Sequence, residues 1–433
     1  MTTDGIRSSR WAASTSAILL FWGLLMSPAV SAPGVLDSSL GGDGKIRTSF
    51  GSEAALASTV LIRTNGKIVE AGGAGDLKFA IAQRELDGTL DTSFGGDGRA
   101  TAGFGGRECT GEETDAVLDA LGRVVVAGST GCRHGKFALA RFMPDGTLDD
   151  SFGGDGKIVT AFGRGCVSRA FGVAVQSDEK IVAAGASGFT CPNVKFALAR
   201  YNDDGSLDVS FGDDGRITAD FTPQWDIASD VAVDQNGGIV AAGTAAIERN
   251  HARFALARFL PNGTPDDLFG GDGRATTFFG KCPANGTTME VGAGGGIVVG
   301  GWAGCISKFA LAAYSNDGSL DHSFGAGGKV TTRFPGARCS DQIGDVAVQT
   351  DGKIVAAGYA VCARDATTMF EFGLARYQPG GDLDTSFGDG GTVTTGFRGA
   401  NALAHGVALQ DDGRIVAAGL AGTRFALARY LAE

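Results

Sequence analysis

The hydrophobic residues of this chain recur in short runs that alternate with polar residues and end at glycine-containing turns. The run Val346–Gln349 alternates in this way, meets a turn at residues 350–352, and continues into the apolar phrase KIVAAG at Lys353–Gly358. Alternation of period two on both sides of such a turn predicts an antiparallel β-hairpin. A phrase FALARY, at Phe196–Tyr201, and a short run at Lys157–Thr160 supply a third and a fourth strand of the predicted unit.

The same four-stranded unit occurs seven times along the chain. The KIVAAG phrase or a close variant begins at Lys67, Arg123, Lys180, Gly238, Gly296, Lys353 and Arg414. The FALARY phrase begins at Phe79, Phe137, Phe196, Phe254, Phe309, Phe372 and Phe425. A turn phrase, D-x-S-F-G-x-D-G, begins at spacings of 54 to 63 residues, at Asp37, Asp91, Asp149, Asp208, Asp266, Asp321 and Asp384. This repetition predicts an all-β fold, a seven-bladed β-propeller of four-stranded antiparallel blades that occupies residues 33–433 as one domain.

The FALARY strand indicates how neighbouring blades pack. Phe196 and Leu198 point to one face of the strand, whereas the two alanines between and after them point to the other. A bulky face against the alanine face of the next blade fills space without voids. The last unit ends after its third strand, and an early strand at Lys45–Phe50 precedes the first unit. We therefore expect this N-terminal strand to complete the last blade and to close the ring, which removes exposed sheet edges.

Eight cysteines occur as one pair in each of four units. The pairs are Cys109 and Cys132, Cys166 and Cys191, Cys282 and Cys305, and Cys339 and Cys362. Reflection about the hairpin turn between the first two strands brings the members of a pair together, with Cys191 displaced by two residues. The sequence therefore predicts four disulfides, each within one blade. The alternative of zinc sites requires C-x-x-C spacing or nearby histidines, which these pairs lack.

The first 32 residues are typical of a secretory signal peptide. Arg7 and Arg10 precede an apolar run at Ala17–Met26, and small residues follow up to Ala32, with Ala29 as an alternative cleavage point. The alternative is a retained N-terminal membrane anchor, although the run is short for a membrane span. No later stretch is apolar enough to span a membrane. Together with the predicted disulfides, this pattern predicts a secreted or periplasmic protein.

Composition narrows the class of partner. Glycine supplies 71 of the 433 residues, but 43% of residues are hydrophobic and 20% are charged, which excludes a disordered chain. The chain has 37 Lys and Arg against 48 Asp and Glu, a net charge of −11. A surface that follows nucleic-acid phosphates has the opposite sign, so no nucleic-acid partner is expected.

Chemical motifs are sparse, and the sequence predicts no catalytic residue and no cofactor. The histidines, His134, His251, His322 and His405, fall at different phases of the repeat, mainly in variable turns, without an H-E-x-x-H or G-x-S-x-G motif. Aspartates crowd some turns, for example at 203, 204, 208, 213 and 214. They can bind calcium, or they can cap the amides of their own turns, and repetition in every unit favours capping. The arginine of FALARY, as at Arg200, is expected to pair with a turn aspartate such as Asp208.

Residues that depart from the repeat are the best candidates for a binding site. Trp225 lies in the segment entering the fourth unit, and Trp302 and Tyr359 follow the KIVAAG phrase of the fifth and sixth units. Loops of adjacent blades share one face of a propeller, so these three aromatics can form a stacking platform for a sugar or a peptide. The alternative is loop packing beside the disulfides.

The phrases FALARY, DGSLD, SFG and DGK, together with VAVQ and DGKIVAAG, resemble the delta-60 repeat family of bacterial secreted proteins over nearly all of residues 35–433. The resemblance implies a β-propeller and carries no assigned activity. We therefore predict a monomeric, non-enzymatic binding or scaffolding propeller for an extracellular glycan, peptide or protein. The alternative is a propeller hydrolase or lyase acting on glycans. Repeat-breaking acidic, histidine or arginine residues around the central channel favour the enzyme, and an aromatic or apolar patch favours binding.

Overall fold

The structure, a computed structural model, describes residues 32–75, 78–104, 115–130, 135–163, 166–191, 193–246, 251–292, 294–335, 340–364 and 367–432, without the side chains of residues 362–364 and 367–369. The predicted signal peptide lies outside these residues apart from Ala32. No helix in this part of the chain has the length and apolar character needed to cross a lipid bilayer.

The described residues form only β-strands, arranged in seven four-stranded antiparallel sheets. The first strands of the seven sheets are β2 (Ala55–Ile62), β6 (Asp115–Leu118), β10 (Ser168–Val175), β14 (Trp225–Val233), β18 (Ala284–Val291), β22 (Ser340–Val348) and β26 (Ala402–Leu409). The second strands are β3 (Ile68–Ala74), β7 (Val124–Ser129), β11 (Ile181–Ser187), β15 (Ile239–Ala246), β19 (Ile297–Ala303), β23 (Ile354–Arg364) and β27 (Ile415–Ala421). The predicted seven-bladed propeller is confirmed.

The third strands carry the FALARY phrase. They are β4 (Lys78–Arg84), β8 (Phe137–Phe142), β12 (Lys195–Tyr201), β16 (Ala252–Phe259), β20 (Lys308–Tyr314), β24 (Thr367–Tyr377) and β28 (Arg424–Tyr430). The fourth strands are β5 (Arg99–Gly103), β9 (Lys157–Thr160), β13 (Arg216–Ala219), β17 (Arg274–Thr277), β21 (Lys329–Thr332), β25 (Thr392–Thr395) and β1 (Lys45–Thr48). We number the blades 1 to 7 in the chain order of their first strands.

The blades are arranged in a closed ring around an axis. Each first strand contacts the first strand of the next blade, so these seven strands surround the axis and the fourth strands lie at the rim. Blade 7 packs against blade 1 through β26, β27 and β2. Closure is completed by β1, whose Lys45 and Thr48 pair with Ala428 and Phe425 of β28. The expected role of the N-terminal strand is confirmed.

The hydrophobic core consists of seven clusters, one at each interface between blades. Phe196 and Leu198 of β12 pack against blade 4, whereas Ala197 and Ala199 of the same strand pack against Phe137 and its neighbours in blade 2. The bulky face of each FALARY strand thus meets the small-residue face of the next blade. This arrangement buries both faces of every sheet, which a single isolated sheet cannot do.

Two of the four predicted disulfides lie within the described residues, and both are present. Cys166 is bonded to Cys191 and Cys282 to Cys305, with Cα–Cα distances of 5.6 and 5.1 Å. Each bridge ties the entrance of a first strand to the exit of the second strand of the same blade. The other two pairs, Cys109 with Cys132 and Cys339 with Cys362, involve residues or side chains outside the described part.

The FALARY arginine pairs with the turn aspartate as expected. Arg200 Nε donates to Asp208 Oδ2 at 2.8 Å, and the backbone N–H of Ser210 donates to Asp208 Oδ1 at 3.0 Å. Burial opposes ionisation, but hydrogen bonds from Ser210 and the charges of Arg200 and Lys180 lower the pKa of Asp208 to about 2. The turn aspartates therefore act as caps and ion-pair partners. Within the described residues, no group of three or more His, Cys, Asp or Glu is arranged to hold a metal ion.

Candidate functional site at the propeller axis

A pocket of about 300 Å³ lies on the axis of the propeller and draws on all seven blades. Apart from Tyr359 of β23, the residues that line it belong to the seven first strands, between their second and sixth residues or, in blade 2, at the first residue Asp115. Its walls include Ser58, Thr59, Asp115, Phe171, Ser229, Asp230, Thr287, Thr288, Gln342, Asp345, Tyr359 and His405. An axial position where several blades converge is a concave site of the kind that binds ligands.

The pocket is built around a β-bulge that recurs in the first strands. Pairing with the second strand skips one residue, which we call the bulge position: Ser58, Phe171, Ser229, Thr287, Gly344 and His405. All six bulge residues line the pocket. A bulge re-aims the side chains beside it and is common next to functional sites. The repeat therefore places one variable residue per described bulge at the axis.

The residue after each bulge lies where neighbouring blades meet, and the aspartates and threonines at this position form hydrogen bonds from one blade to the next. This axial position is occupied by Thr59, Asp115, Gly172, Asp230, Thr288, Asp345 and Gly406. Asp115 accepts from Thr59 Oγ1 of the preceding blade at 2.8 Å and from the Val173 N–H of the following blade at 3.0 Å. Asp345 likewise accepts from Thr288 Oγ1 at 2.9 Å and from the Val407 N–H at 2.8 Å. The axial carboxylates thus link consecutive blades.

The axial glycines are required by close packing. A Cβ atom on Gly172 would lie 2.8 Å from Asp230 Cα, and one on Gly406 would lie 2.9 Å from Thr59 Cα. Both distances are too short for any other residue, so the backbone of the next blade occupies the space of a side chain. The ring below the pocket is therefore tightly packed.

Burial and mutual repulsion raise the pKa values of the axial aspartates above their usual range. Burial raises the pKa of Asp115, and it raises that of Asp345 to about 6. Burial, and after it the charges of Asp115 and Asp345, raises the pKa of Asp230. Because like charges in an enclosed site repel one another, ionisation of one of these carboxyls makes ionisation of the others less favourable. The axial carboxyls therefore ionise less readily than solvent-exposed aspartates, and a positive charge placed beside them would favour their ionised forms.

Glu290 adds a further acid to the axis. It lies two residues after Thr288 on the same face of β18, where the other blades carry leucine, valine or alanine. Glu290 is exposed, but the protein atoms around its carboxyl partly desolvate it. Desolvation there, together with the charge of Asp345, raises its pKa to about 7. No other blade carries an acid at this position.

His405 corrects an expectation from the sequence. We expected the histidines mainly in variable turns, but His405 is the bulge residue of β26 and lines the pocket. Its Nε2 atom is buried and has no hydrogen-bond partner among the described residues, and burial lowers the pKa of the imidazole to about 4. The side chain is therefore neutral at pH 7. Of the remaining histidines, His322 lies in a turn, His251 precedes β16, and His134 is outside the described residues.

The three predicted aromatic residues do not converge on the pocket. Tyr359 lines it, beside Gln342 with which it pairs across the β22–β23 hairpin, and its ring lies 5.8 Å from that of Phe370. Trp302 holds the same register in blade 5 but is half-buried and does not line the pocket. Trp225 starts β14 and is 39% exposed. Of the predicted platform, only Tyr359 lies at the axial site.

The axial acids and the bulge residues were missed by reasoning from the sequence. The signal that identifies them is positional. The axial residue stands 13 positions before the glycine that ends KIVAAG, as 358 minus 345 shows for blade 6, and it changes between Thr, Asp and Gly while its neighbours repeat. An alignment of the seven units on that glycine isolates both positions.

Comparison with known proteins agrees with the fold. Residues 122–152, 176–211, 235–269, 349–387 and 410–433 match the family described as "Domain of unknown function (DUF5122) beta-propeller". These matches fall in five of the seven repeats and support a β-propeller repeat architecture. A search among curated proteins found no match.

Solved structures with a similar fold include bacterial lyases. Virginiamycin B lyase from Staphylococcus aureus has a TM-score of 0.51 at 9% identity, over 89% of this chain and 98% of that chain. A catalytically inactive variant of that enzyme with quinupristin has a TM-score of 0.50 at 8% identity, over 89% and 99% of the two chains. A PL25 ulvan lyase bound to an oligosaccharide has a TM-score of 0.49 at 11% identity, over 89% and 96%. At these identities the likeness concerns the fold alone.

Proposed function

We propose that this protein is a non-enzymatic binding propeller that takes its ligand at the axial pocket. The observation that carries the proposal is the pocket itself, where all seven blades present a variable bulge residue or an axial residue. The repeat holds the scaffold constant while these positions change, which is how a binding site is placed on a repetitive fold. We further assign the repeats to the delta-60 group, on the phrases FALARY, DGSLD and KIVAAG.

The compartment that we propose is extracytoplasmic, either the periplasm or the exterior of the cell. The disulfides Cys166–Cys191 and Cys282–Cys305 support an oxidising compartment. The basic, apolar and small-residue order of residues 1–32 supports export. The ligand is accordingly an extracellular glycan, peptide or protein.

Binding is favoured over catalysis because the axial carboxylates are already engaged. Asp115 and Asp345 each accept hydrogen bonds from both neighbouring blades, so they are committed to the scaffold. A general acid or base must instead be free to exchange a proton with substrate. Tyr359 and Phe171 supply aromatic surface in the same pocket, which suits the recognition of a ligand.

A glycan array and a peptide array, probed with the purified chain, test the proposal. Ligands of the axial pocket should bind about tenfold more weakly to Tyr359→Ala, because the aromatic contact is lost. Trp225→Ala is the matched control, since it removes an exposed aromatic outside the pocket and should leave affinity unchanged. Binding that is indifferent to Tyr359→Ala but lost in Trp225→Ala would move the site away from the axis.

A glycan hydrolase or lyase is the second candidate, and two residues favour it. Glu290 has a pKa raised to about 7, and His405 presents a buried, unpartnered Nε2 atom in the pocket. Both break the repeat at the axis, as catalytic groups do. Incubation with the glycans found on the array, followed by chromatography of products, distinguishes the two functions. Product that forms with the parent chain and disappears with His405→Ala would replace the binding proposal by the enzyme.

A further inference from the structure

We infer that the axial pocket receives a positively charged head group, an organic ammonium or guanidinium carried by a peptide side chain or by a small free amine. This inference rests on the proposed binding function and names the chemical class of its ligand. Three independent features of the pocket support it: its charge, the hydrogen-bonding capacity left open on its walls, and its size and aromatic content.

The charge of the pocket is one-sided. Asp115, Asp230 and Asp345 lie in its wall, and none of the described residues that line it is Lys or Arg. Glu290 lies close enough for its carboxyl to be affected by the charge of Asp345. A cation beside these carboxyls favours their ionised forms and is attracted by them, whereas an anion would meet acidic groups and no basic one. A cation is therefore the charged group that suits this space.

The polar groups of the pocket are left mainly as hydrogen-bond acceptors. The hydroxyl protons of Thr59 and Thr288 are used in bonds to axial carboxylates, and that of Thr287 is donated to the Ile343 carbonyl at 2.8 Å. Each of these hydroxyl oxygens can still accept a hydrogen bond. A ligand that satisfies such walls must bring donors, and an ammonium or guanidinium brings only donors.

His405 provides an observation that does not depend on the acids. No described residue hydrogen-bonds its Nε2 atom, which is buried in the pocket wall, and a buried polar atom of this kind is normally satisfied by a ligand or water. Because the imidazole is neutral at pH 7, Nε2 can accept a hydrogen bond from an N–H of the ligand when the ring proton is on Nδ1, and the ring adds no repulsive charge. The adjoining Gly344 allows the backbones of blades 6 and 7 to approach closely at this point.

The size and aromatic content of the pocket fit a single head group. A volume of about 300 Å³ is at the small end for ligand sites and holds a side-chain terminus or a small amine, not an oligosaccharide. Phe171 and Tyr359 line the same space. Aromatic rings beside carboxylates are the usual surroundings of bound organic cations.

Isothermal titration of the purified chain tests the inference with four probes. Cadaverine and agmatine represent free amines, Ac-Gly-Lys-Gly-amide represents a peptide, and the same peptide with Nε-acetyllysine is its neutral match. The lysine peptide should bind at least about tenfold more tightly than its acetylated match, because acetylation removes the charge and keeps the length. Free amines that bind as tightly as the peptide indicate a small-molecule ligand. Tight binding by the peptide alone indicates a peptide ligand.

Three variants locate the bound cation. Glu290→Gln, which removes a charge and no described hydrogen bond, should weaken the cationic probes about threefold, and His405→Phe should weaken them about tenfold. Asp267→Asn is the matched control, because it removes one carboxylate from an exposed rim turn and should change nothing. The thermal midpoint of each variant separates loss of binding from loss of fold.

The outcomes distinguish this inference from the proposed function. If a neutral array ligand binds and is lost in Tyr359→Ala while every cationic probe fails, the cation inference is wrong and the binding propeller stands. If neither the array nor the cations find a ligand sensitive to pocket variants, both are wrong. Calcium chloride is added at the same concentration of positive charge as the lysine peptide. If calcium displaces the peptide, the pocket attracts positive charge of any kind, and the inference of an organic cation is wrong.

Discussion

At the scale of single residues, one arginine ties each of six blades to the next blade, whereas blade 5 has Ala313 at the position of the FALARY arginine. Arg429 pairs with Asp37 of its own blade and donates to the Leu86 carbonyl of blade 1. Blade 1 has a glutamine, Gln83, in place of this arginine. There, Arg63 from the end of the first strand donates to Gln83 and reaches the next blade's Gly122 carbonyl. The cross-blade contact is thus retained although the residue that makes it has moved.

Removal of one such arginine should be costly. In Arg200→Ala, Asp208 loses its buried partner and the Phe211 ring loses a guanidinium 4.6 Å away. We expect the free energy of unfolding in urea to fall by about 3 kcal/mol, as for other broken buried pairs. Arg274→Ala is the control, since its pair with Asp272 is solvent-exposed and should contribute less than about 1 kcal/mol. Equal effects of the two substitutions would contradict the assignment.

Glu290 should make the stability of the fold depend on pH. Its pKa of about 7 in the folded protein exceeds the unfolded value of about 4.3, so its contribution is fully present below pH 4 and is lost as pH rises from about 4 to 7. The variant Glu290→Ala does not show this pH-dependent loss of stability. We expect the variant and the parent to unfold alike near pH 4 and the variant to be more stable at pH 8, by less than about 1 kcal/mol because the side chain is partly solvated.

Urea midpoints at the two pH values check this expectation, and Glu290→Gln should behave as the alanine variant does. Alanine is the residue of blades 3, 4, 6 and 7 at this position, so the substitution itself is well tolerated by the repeat. A stability difference between parent and variant that stays constant from pH 4 to 8 would mean that the carboxyl is not desolvated at the axis.

At the scale of strands and hairpins, the sequence was sufficient to predict the blades. Period-two patterns and glycine turns determine local pairing, and seven repetitions remove the ambiguity of any single short run. The facing of Phe196 against alanines followed from alternation alone. The site could not be predicted in the same way, because Asp115, Asp345 and His405 are distant in sequence and meet only where first strands converge. Their grouping depends on a β-bulge, which adds one residue to the strand and so changes the face to which the following side chains point. The hydrophobic alternation of the sequence does not reveal this change.

The hairpin register also predicts the two disulfides outside the described residues. In blade 5, Ala284 pairs with Ala303, and continuing that register by two residues brings Cys282 to Cys305. Non-reducing peptide mapping should therefore recover Cys109 linked to Cys132 and Cys339 linked to Cys362, alongside the two observed bridges. Reduced protein provides the control, since all four linked peptides should then disappear. Linked peptides that join different blades would contradict the common register.

At the scale of the whole molecule, ring closure explains why a chain of weakly polar, glycine-rich repeats is a defined structure. Each blade buries one face against each neighbour, so an open end would leave a complete apolar face and a free strand edge exposed. Blade 7 avoids both through β1, which supplies its fourth strand, and through Asp37, which pairs with the fully buried Arg429. At the centre of the disc, hydrogen bonds join blade 6 to blade 7 and blade 1 to blade 2, and between blades 7 and 1 the backbone of Gly406 packs against Thr59. Contacts at the rim, through β1, and contacts at the axis therefore both join neighbouring blades into the closed ring.

The dependence of ring closure on β1 can be tested by removing the N-terminal strand. A chain that begins at residue 49 lacks β1 and Asp37, so blade 7 keeps three strands, the edge of β28 is open and Arg429 is left buried without its carboxylate. We expect the free energy of unfolding to fall by more than the roughly 3 kcal/mol of Arg200→Ala, and light scattering to show association where a chain beginning at residue 33 is a monomer.

The deleted segment offered in trans provides the sharper measurement. A synthetic peptide of residues 33–48 should bind the shortened chain and restore its urea midpoint and monomeric state, because strand pairing and the Asp37–Arg429 pair re-form together. The same peptide with Asp37→Ala should restore less, and a scrambled peptide should restore nothing. A shortened chain that is as stable as the parent and ignores the peptide would show that the seven blades close without their N-terminal strand. In that case the packing of blade 7 on blade 1, through Leu427 and Ala80, must carry closure by itself.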